Sequence, residues 1–135
     1  MKFLIIDKSP DIRSSIKRII DSDISGHLTV ASSNYDEAFF SLYSINPDYI
    51  IIDPESLYSK GMMLLKSSLA LLPPSRIFLF TELSTELIQE KFKEMGLINI
   101  YSKSKEAEKF IKEFSMVLSA SIEPKIIDNL LTATN

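Results

Sequence analysis

The chain has no cysteine, no tryptophan, one histidine and only three glycines, and these shortages exclude whole classes of site. Without cysteine there is no disulfide, no thiol nucleophile, and no zinc or iron–sulfur centre held by thiolates. The single His27 argues against any site built from several imidazoles. The few glycines lie too far apart for a phosphate-binding loop of the dinucleotide or P-loop type. Polar chemistry in this protein must therefore depend mainly on its side chains.

The charge balance is mildly acidic, with a formal net charge of -3 and a pI near 5.2. A surface that follows nucleic-acid phosphates is usually basic, so we expect no direct nucleic-acid binding. No apolar run reaches the roughly 18 residues of a membrane-spanning helix. Charged residues such as Asp7, Asp11 and Lys17 interrupt the start of the chain, which argues against a signal peptide. We therefore expect a cytoplasmic protein that does not enter a membrane.

Short apolar runs alternate with stretches of helical periodicity along the 135 residues. Continuous apolar runs are typical of parallel strands that helices cover on both faces. Five strand–helix repeats therefore predict an α/β fold with a doubly wound, five-stranded parallel sheet. The predicted strands are 3–6, 28–31, 49–52, 77–80 and 98–101, and the predicted helices begin at Ser9, Asn34, Met62, Ser84 and Ser104.

A single domain is expected over residues 1–120. Glu123 and Pro124 are expected to end the last helix, because proline lacks the backbone N–H that a helix interior needs. Residues 121–135 then form a C-terminal extension or linker.

Polar side chains follow four of the five predicted strands. Asp7 and Asp53 directly follow the first and third, Thr81 the fourth, and Lys103 lies two residues beyond the fifth. In open parallel sheets the binding site lies outside the carboxyl ends of the strands. Two acids, a hydroxyl and an amine are therefore predicted to share one edge of the sheet.

This set resembles the receiver domain of bacterial two-component response regulators, the family that includes the single-domain chemotaxis regulator. The resemblance runs from Lys2 to about Ser119 and includes Gly61, eight residues after Asp53. It implies the flavodoxin-like receiver fold with strand order 2-1-3-4-5 and helices on both faces.

The resemblance also implies a role for each site residue. Asp53 would be the phosphoacceptor, Thr81 the switch hydroxyl and Lys103 the phosphate-sensing cation. Asp7, Asp53 and the backbone carbonyl of Glu55 would bind Mg²⁺, whose preferred ligands are oxygens. The function implied is a phosphoprotein of a phosphorelay rather than an enzyme, with self-catalysed phosphoryl transfer to Asp53 at most.

The same resemblance implies protein partners. They are a sensor histidine kinase or phosphotransfer protein, and a downstream protein or output domain. A second copy of the chain, bound through the face of the fourth helix, fifth strand and fifth helix, is a further candidate partner.

Lys8 departs from the pattern, because the family carries a second acid at that position. A positive charge there should weaken or abolish Mg²⁺ binding, and Lys8 could itself pair with Asp53 in place of the metal. Two interpretations follow: a receiver domain phosphorylated on Asp53, or a pseudo-receiver that acts as a protein-interaction module without phosphorylation.

Further departures concern the switch and the loops. Ile100 stands where the family has a mobile aromatic residue, and strand alternation points Tyr101 to the opposite face. Pro54 directly follows Asp53, the phosphoacceptor that the resemblance implies. A phosphatase of the haloacid-dehalogenase type is less well supported, because Ser9 stands where its second aspartate would be.

Overall fold

A computed structural model describes the backbone of residues 1–83 and 85–133, with side chains up to residue 120. The strands are β1 (Lys2–Ile6), β2 (Leu28–Ser32), β3 (Tyr49–Ile52), β4 (Ile77–Thr81) and β5 (Asn99–Ser102). They form one parallel sheet in the order β2-β1-β3-β4-β5, which confirms the predicted doubly wound α/β topology. The helices are α1 (Pro10–Asp23), α2 (Tyr35–Ile45), α3 (Lys60–Leu71), α4 (Glu86–Glu94) and α5 (Ala107–Ala133), with a short 3-10 turn at Pro74–Arg76.

Side-chain hydrogen bonds fix the starts of the first two helices as predicted. The hydroxyl of Ser9 accepts from the N–H of Ile12, and Pro10 occupies the first helical position, where a missing N–H costs nothing. Asn34 accepts from the N–H groups of Asp36 and Glu37 at the start of α2. These caps fix where each chain segment leaves the sheet edge.

The later helix boundaries differ from the predictions. Helix α4 has Thr85 as its N-cap, and the predicted start at Ser84 lies outside the described residues. Helix α5 begins at Ala107 rather than Ser104, because the segment after β5 first turns, and the N–H of Glu106 bonds the carbonyl of Ser102.

The prediction that the last helix ends at Glu123 and Pro124 is wrong, since the backbone of α5 continues through both residues to Ala133. Proline removes one helical hydrogen bond without forbidding helical φ. The division of the chain into residues 1–120 and 121–135 stays a prediction.

Alternate residues of the central strands belong to two separate hydrophobic layers, one on each face of the sheet. Leu4, Ile6, Ile50 and Ile52 pack on the side of α2, α3 and α4. Phe3, Ile5, Ile51, Phe78, Phe80 and Tyr101 pack on the side of α1 and α5. The strands are buried on both faces because each layer covers one side of the pleat. Among the described residues, no helix is both long and apolar enough to cross a membrane.

Aromatic rings bind α5 to the sheet. Phe114 is fully buried, and its ring centroid lies 5.1 Å from that of Phe78 and 5.4 Å from that of Phe110. Ring pairs at these separations add to the free energy gained by burying apolar surface. This cluster holds the last helix against β4 and β5, the two strands whose ends carry Thr81 and Lys103.

We expect Phe114→Ala to lower the free energy of unfolding by about 3–5 kcal/mol, because a buried ring is lost and a cavity remains. Urea denaturation would measure the loss. Met116→Ala, on the same helix but 62% exposed, is the matched control and should change stability by less than about 1 kcal/mol. Equal losses for the two variants would contradict this description of the core.

Candidate functional site

The strand register brings the four predicted side chains to one edge of the sheet. Ile6 pairs with Ile52, so Asp7 and Asp53, which follow them, leave neighbouring strands side by side. Thr81 pairs with Ser102, the residue before Lys103. The backbone N–H of Lys103 also donates to the carbonyl of Thr81. The predicted convergence of these four residues is confirmed.

Lys103 lies between the two aspartates. Its Nζ is 2.7 Å from Oδ2 of Asp7 and 2.6 Å from Oδ2 of Asp53. The three side chains are 16%, 5% and 12% exposed, respectively. Buried charges persist only when they are paired and hydrogen-bonded. The ammonium therefore neutralises part of a charge that the two carboxylates could not carry alone.

The pKa of Lys103 reflects a competition between burial and its partners. Burial alone lowers the pKa of an amine. Hydrogen bonds to Asp53 and Asp7, together with their negative charges, outweigh burial and raise the pKa of Lys103 above its ordinary value. The side chain therefore remains a cation at neutral pH.

The other carboxylate oxygens also have donors from the chain. The N–H of Ser9 donates to Oδ1 of Asp7 at 2.8 Å. Oδ1 of Asp53 accepts from the hydroxyl of Thr81 at 2.7 Å and from the N–H of Glu55 at 2.9 Å. Every oxygen of the two carboxylates thus accepts at least one hydrogen bond.

Lys8 does not pair with Asp53, contrary to the expectation from sequence. Its Nζ lies 3.0 Å from Oε2 of Glu55, and the two side chains are 61% and 36% exposed. Glu55 has φ 66, in the left-handed region, and this turn carries its carboxylate toward Lys8. The cation that contacts Asp53 is Lys103.

The loop after Asp53 is held by a close backbone approach. A Cβ on Gly61 would lie 2.5 Å from the carbonyl oxygen of Pro54, so only glycine fits at the start of α3. The same carbonyl accepts hydrogen bonds from the hydroxyl of Ser59 and the N–H of Ser56. Gly61, which the resemblance singled out, therefore has a packing role beside Asp53.

Tyr35 and Arg13 also belong to the site, and neither was predicted from the sequence. The buried hydroxyl of Tyr35 donates to the backbone carbonyl of Asp53 at 2.8 Å. Nη1 of Arg13 donates to the carbonyl of Asp7 at 2.6 Å. Both reach the site from the first turns of helices that begin at the carboxyl edge. The only sequence signal for these contacts is that Arg13 and Tyr35 lie near the starts of α1 and α2.

The hydroxyl of Tyr35 remains protonated over the whole ordinary pH range. Burial, followed by the negative charges of Glu55, Asp53 and Asp7, raises the pKa of Tyr35 far above its usual value. The protonated hydroxyl can therefore donate its hydrogen bond to the backbone carbonyl of Asp53 throughout this range.

Ile100 and Tyr101 lie on opposite faces of β5, as predicted. Ile100 packs against the layer of α2, α3 and α4, whereas Tyr101 is buried among the aromatic rings of α5. The hydroxyl of Tyr101 bonds the carboxylate of Glu113. Tyr101 is therefore committed to the core and does not replace the missing aromatic switch.

The arrangement does not fit a divalent cation between Asp7 and Asp53. Mg²⁺ requires about six oxygens near 2.0–2.1 Å, whereas the Lys103 ammonium takes the Oδ2 atoms of both acids. Among the described residues, no group of three or more His, Asp or Glu side chains is arranged to hold a metal. The metal roles of Asp7, Asp53 and the Glu55 carbonyl stay predictions.

Comparison with known proteins relates the fold to receiver domains. No family model matches the sequence, and no curated protein matches it significantly. Among solved structures, a CheY-like response regulator receiver domain protein from Methanospirillum hungatei is 15% identical, with a TM-score of 0.70 over 91% of this chain and 97% of that one. The receiver domain of RstA from Klebsiella pneumoniae, in a BeF3-activated form, is 17% identical with a TM-score of 0.66, over 87% and 98%.

The response regulator domain of Thermotoga maritima CheB is 22% identical, with a TM-score of 0.68 over 91% of this chain and 96% of that one. Each of these neighbours is matched over nearly its whole length. The likeness therefore covers the whole sheet and its helices rather than one motif.

We expect Tyr35→Phe to lower the free energy of unfolding by about 1–3 kcal/mol, because the buried carbonyl of Asp53 loses its donor. Urea denaturation would measure this change. Tyr43→Phe, on the same helix but largely exposed, should be neutral. A Tyr35→Phe variant as stable as the native protein would contradict the role of this hydrogen bond.

The sheet order, the strand-end cluster and the structural neighbours together show that this chain has the flavodoxin-like fold of response regulator receiver domains.

Proposed function

We propose that the chain is a cytoplasmic receiver domain of two-component signalling in which Asp53 accepts a phosphoryl group. The observation that carries the proposal is the pair of donors on one carboxylate: the Thr81 hydroxyl on Oδ1 and the Lys103 ammonium on Oδ2. Charge-assisted donors of this kind stabilise phosphoryl oxygens. No other aspartate in the described part of the chain has both contacts.

In the proposed transfer, a carboxylate oxygen of Asp53 attacks the phosphorus of a phosphodonor. The bond between phosphorus and the donor group breaks, and its electron pair leaves with that group. Asp53 becomes an acyl phosphate, and Lys103 and Thr81 bind the new phosphoryl oxygens. The added negative charge transfers these two contacts from the carboxylate to the phosphoryl group and so biases the surface around β4 and β5.

A second candidate, the pseudo-receiver, is favoured by the hydrogen bonds that already occupy the Asp53 carboxylate. In that case Lys103 holds Asp53 in one state, and the domain binds its partners regardless of phosphorylation. The two candidates share the fold and differ only in whether Asp53 reacts.

The reaction of the protein with acetyl phosphate, measured as a change in its intact mass, distinguishes the two candidates. We expect a gain of one phosphoryl group in the native protein and none in Asp53→Asn. Asp11→Asn, an exposed acid in the first turn of α1, is the matched control and should react like the native protein. No gain under conditions where an established receiver domain reacts would reject the phosphoacceptor and favour the pseudo-receiver.

The proposed partners are a sensor histidine kinase or phosphotransfer protein and a downstream protein or output domain. A homodimer through the face of α4, β5 and α5 is part of the same proposal. Leu87 and Ile98 on this face are 79% and 68% exposed. On α4, Glu86, Glu90 and Lys93 lie on the same surface as Leu87, whereas Lys91 and Glu94 lie on the side of α3. All five charged side chains are exposed. Apolar residues with a charged rim are typical of protein interfaces.

If the homodimer forms through this face, Leu87→Asp should weaken dimerisation, because it places a charge within the apolar contact. Sedimentation velocity over a range of protein concentrations, with and without phosphodonor, would measure the change. Phe40→Asp, an equally exposed apolar residue on α2, is the control and should dimerise like the native protein. Equal weakening in both variants, or none in Leu87→Asp, would contradict an interface at this face.

A further inference from the structure

The point between the two buried carboxylates is already taken by a cation of the chain itself. Nζ of Lys103 lies within 2.7 Å of an oxygen of each aspartate. A divalent ion shared by these acids would need the same two Oδ2 atoms. A divalent ion and the ammonium would then compete for one place.

The remaining oxygens of the two carboxylates also accept hydrogen bonds from the chain. Oδ1 of Asp7 accepts from the N–H of Ser9, which leads into α1. Oδ1 of Asp53 accepts from Thr81 and from the N–H of Glu55. An incoming ion would therefore compete with donors that already contact these oxygens.

The third acid near the site is paired as well. Glu55 forms an exposed ion pair with Lys8 at 3.0 Å. Lys8 therefore pairs with neither Asp7 nor Asp53 in this structure, but it engages a nearby carboxylate, that of Glu55. Lys8 offsets the charge of Glu55, and Lys103 offsets that of one of the two buried aspartates, so these five side chains keep one net negative charge.

Lys103 is also held firmly enough to act as a fixed ion. Its backbone N–H donates to the carbonyl of Thr81 at 3.1 Å, at the end of the β4–β5 pairing. Its side chain is 16% exposed. An ammonium fixed at both ends of its side chain needs little reorganisation to keep this position.

We propose that Lys103 is the resident cation of this site and that the site works without a divalent metal ion. The inference deepens the proposed function, because it states which ion supports chemistry or partner binding at Asp53. It also changes the role expected for Lys8, because the cation between Asp7 and Asp53 is the ammonium of Lys103 and not that of Lys8.

The first test is thermal unfolding in millimolar MgCl₂ and in EDTA at matched ionic strength. We expect the melting temperature of the native protein to be the same in both, because an ion that does not bind the folded state cannot stabilise it. A saturable rise with MgCl₂ in the native protein would overturn the proposal.

Two lysine variants identify the responsible cation. Lys103→Met frees both aspartates, so it should melt at a lower temperature in EDTA and gain a rise with MgCl₂ that the native protein lacks. Lys8→Met removes a positive charge and frees Glu55, but it leaves Lys103 on both aspartates, so it should show no response to MgCl₂. A response in Lys8→Met would mean that Lys8 excludes the metal, which would overturn the assignment to Lys103.

If Lys103→Met fails to fold, the native protein and Lys8→Met still decide the question, since each must lack a response to MgCl₂. The reaction with acetyl phosphate in EDTA adds an independent measurement. Modification of Asp53 that requires MgCl₂ would overturn the proposal. Absence of any modification would reject the phosphoacceptor alone, because the melting experiment measures ion binding without it.

Discussion

The ion bridge from Lys103 to Asp7 and Asp53 is the constraint on which the rest of the site depends. Two carboxylates on neighbouring strand ends would repel each other in a buried setting, and a lone buried charge is strongly disfavoured. The ammonium makes the arrangement possible. Removing one partner of such a buried pair costs about 3–5 kcal/mol, far more than the pair contributes compared with an apolar replacement. The bridge is therefore costly to break although it contributes little net stability.

The sheet provides the geometry for this bridge. Parallel strands bring their carboxyl ends to one edge, and the β1–β3 and β4–β5 registers align the residues that precede the site. Tyr35 and Arg13 fix the backbone carbonyls of the two aspartates from α2 and α1. The close approach of Gly61 to Pro54 holds the loop after Asp53. Asp53 is thus positioned through its backbone as well as through its side chain.

The sequence predicted those features that follow from the strand pattern. Asp7, Asp53, Thr81 and Lys103 were expected together because the ends of parallel strands converge. The partner of Lys8 could not be predicted, because an exposed lysine has many rotamers and the left-handed turn at Glu55 decides which carboxylate it meets. The contact of Tyr35 depends on the angle at which α2 packs on the sheet, which no local pattern encodes. The continuation of α5 through Pro124 contradicts a local rule that applies to average helices.

The most direct test of the internal cation is a high-resolution crystal structure of the native protein grown in millimolar MgCl₂. The account predicts that Nζ of Lys103 remains within hydrogen-bonding distance of Oδ2 of both aspartates, as in the 2.6 and 2.7 Å contacts described above. A magnesium ion coordinated by Asp53, with the ammonium displaced from Asp7, would contradict it.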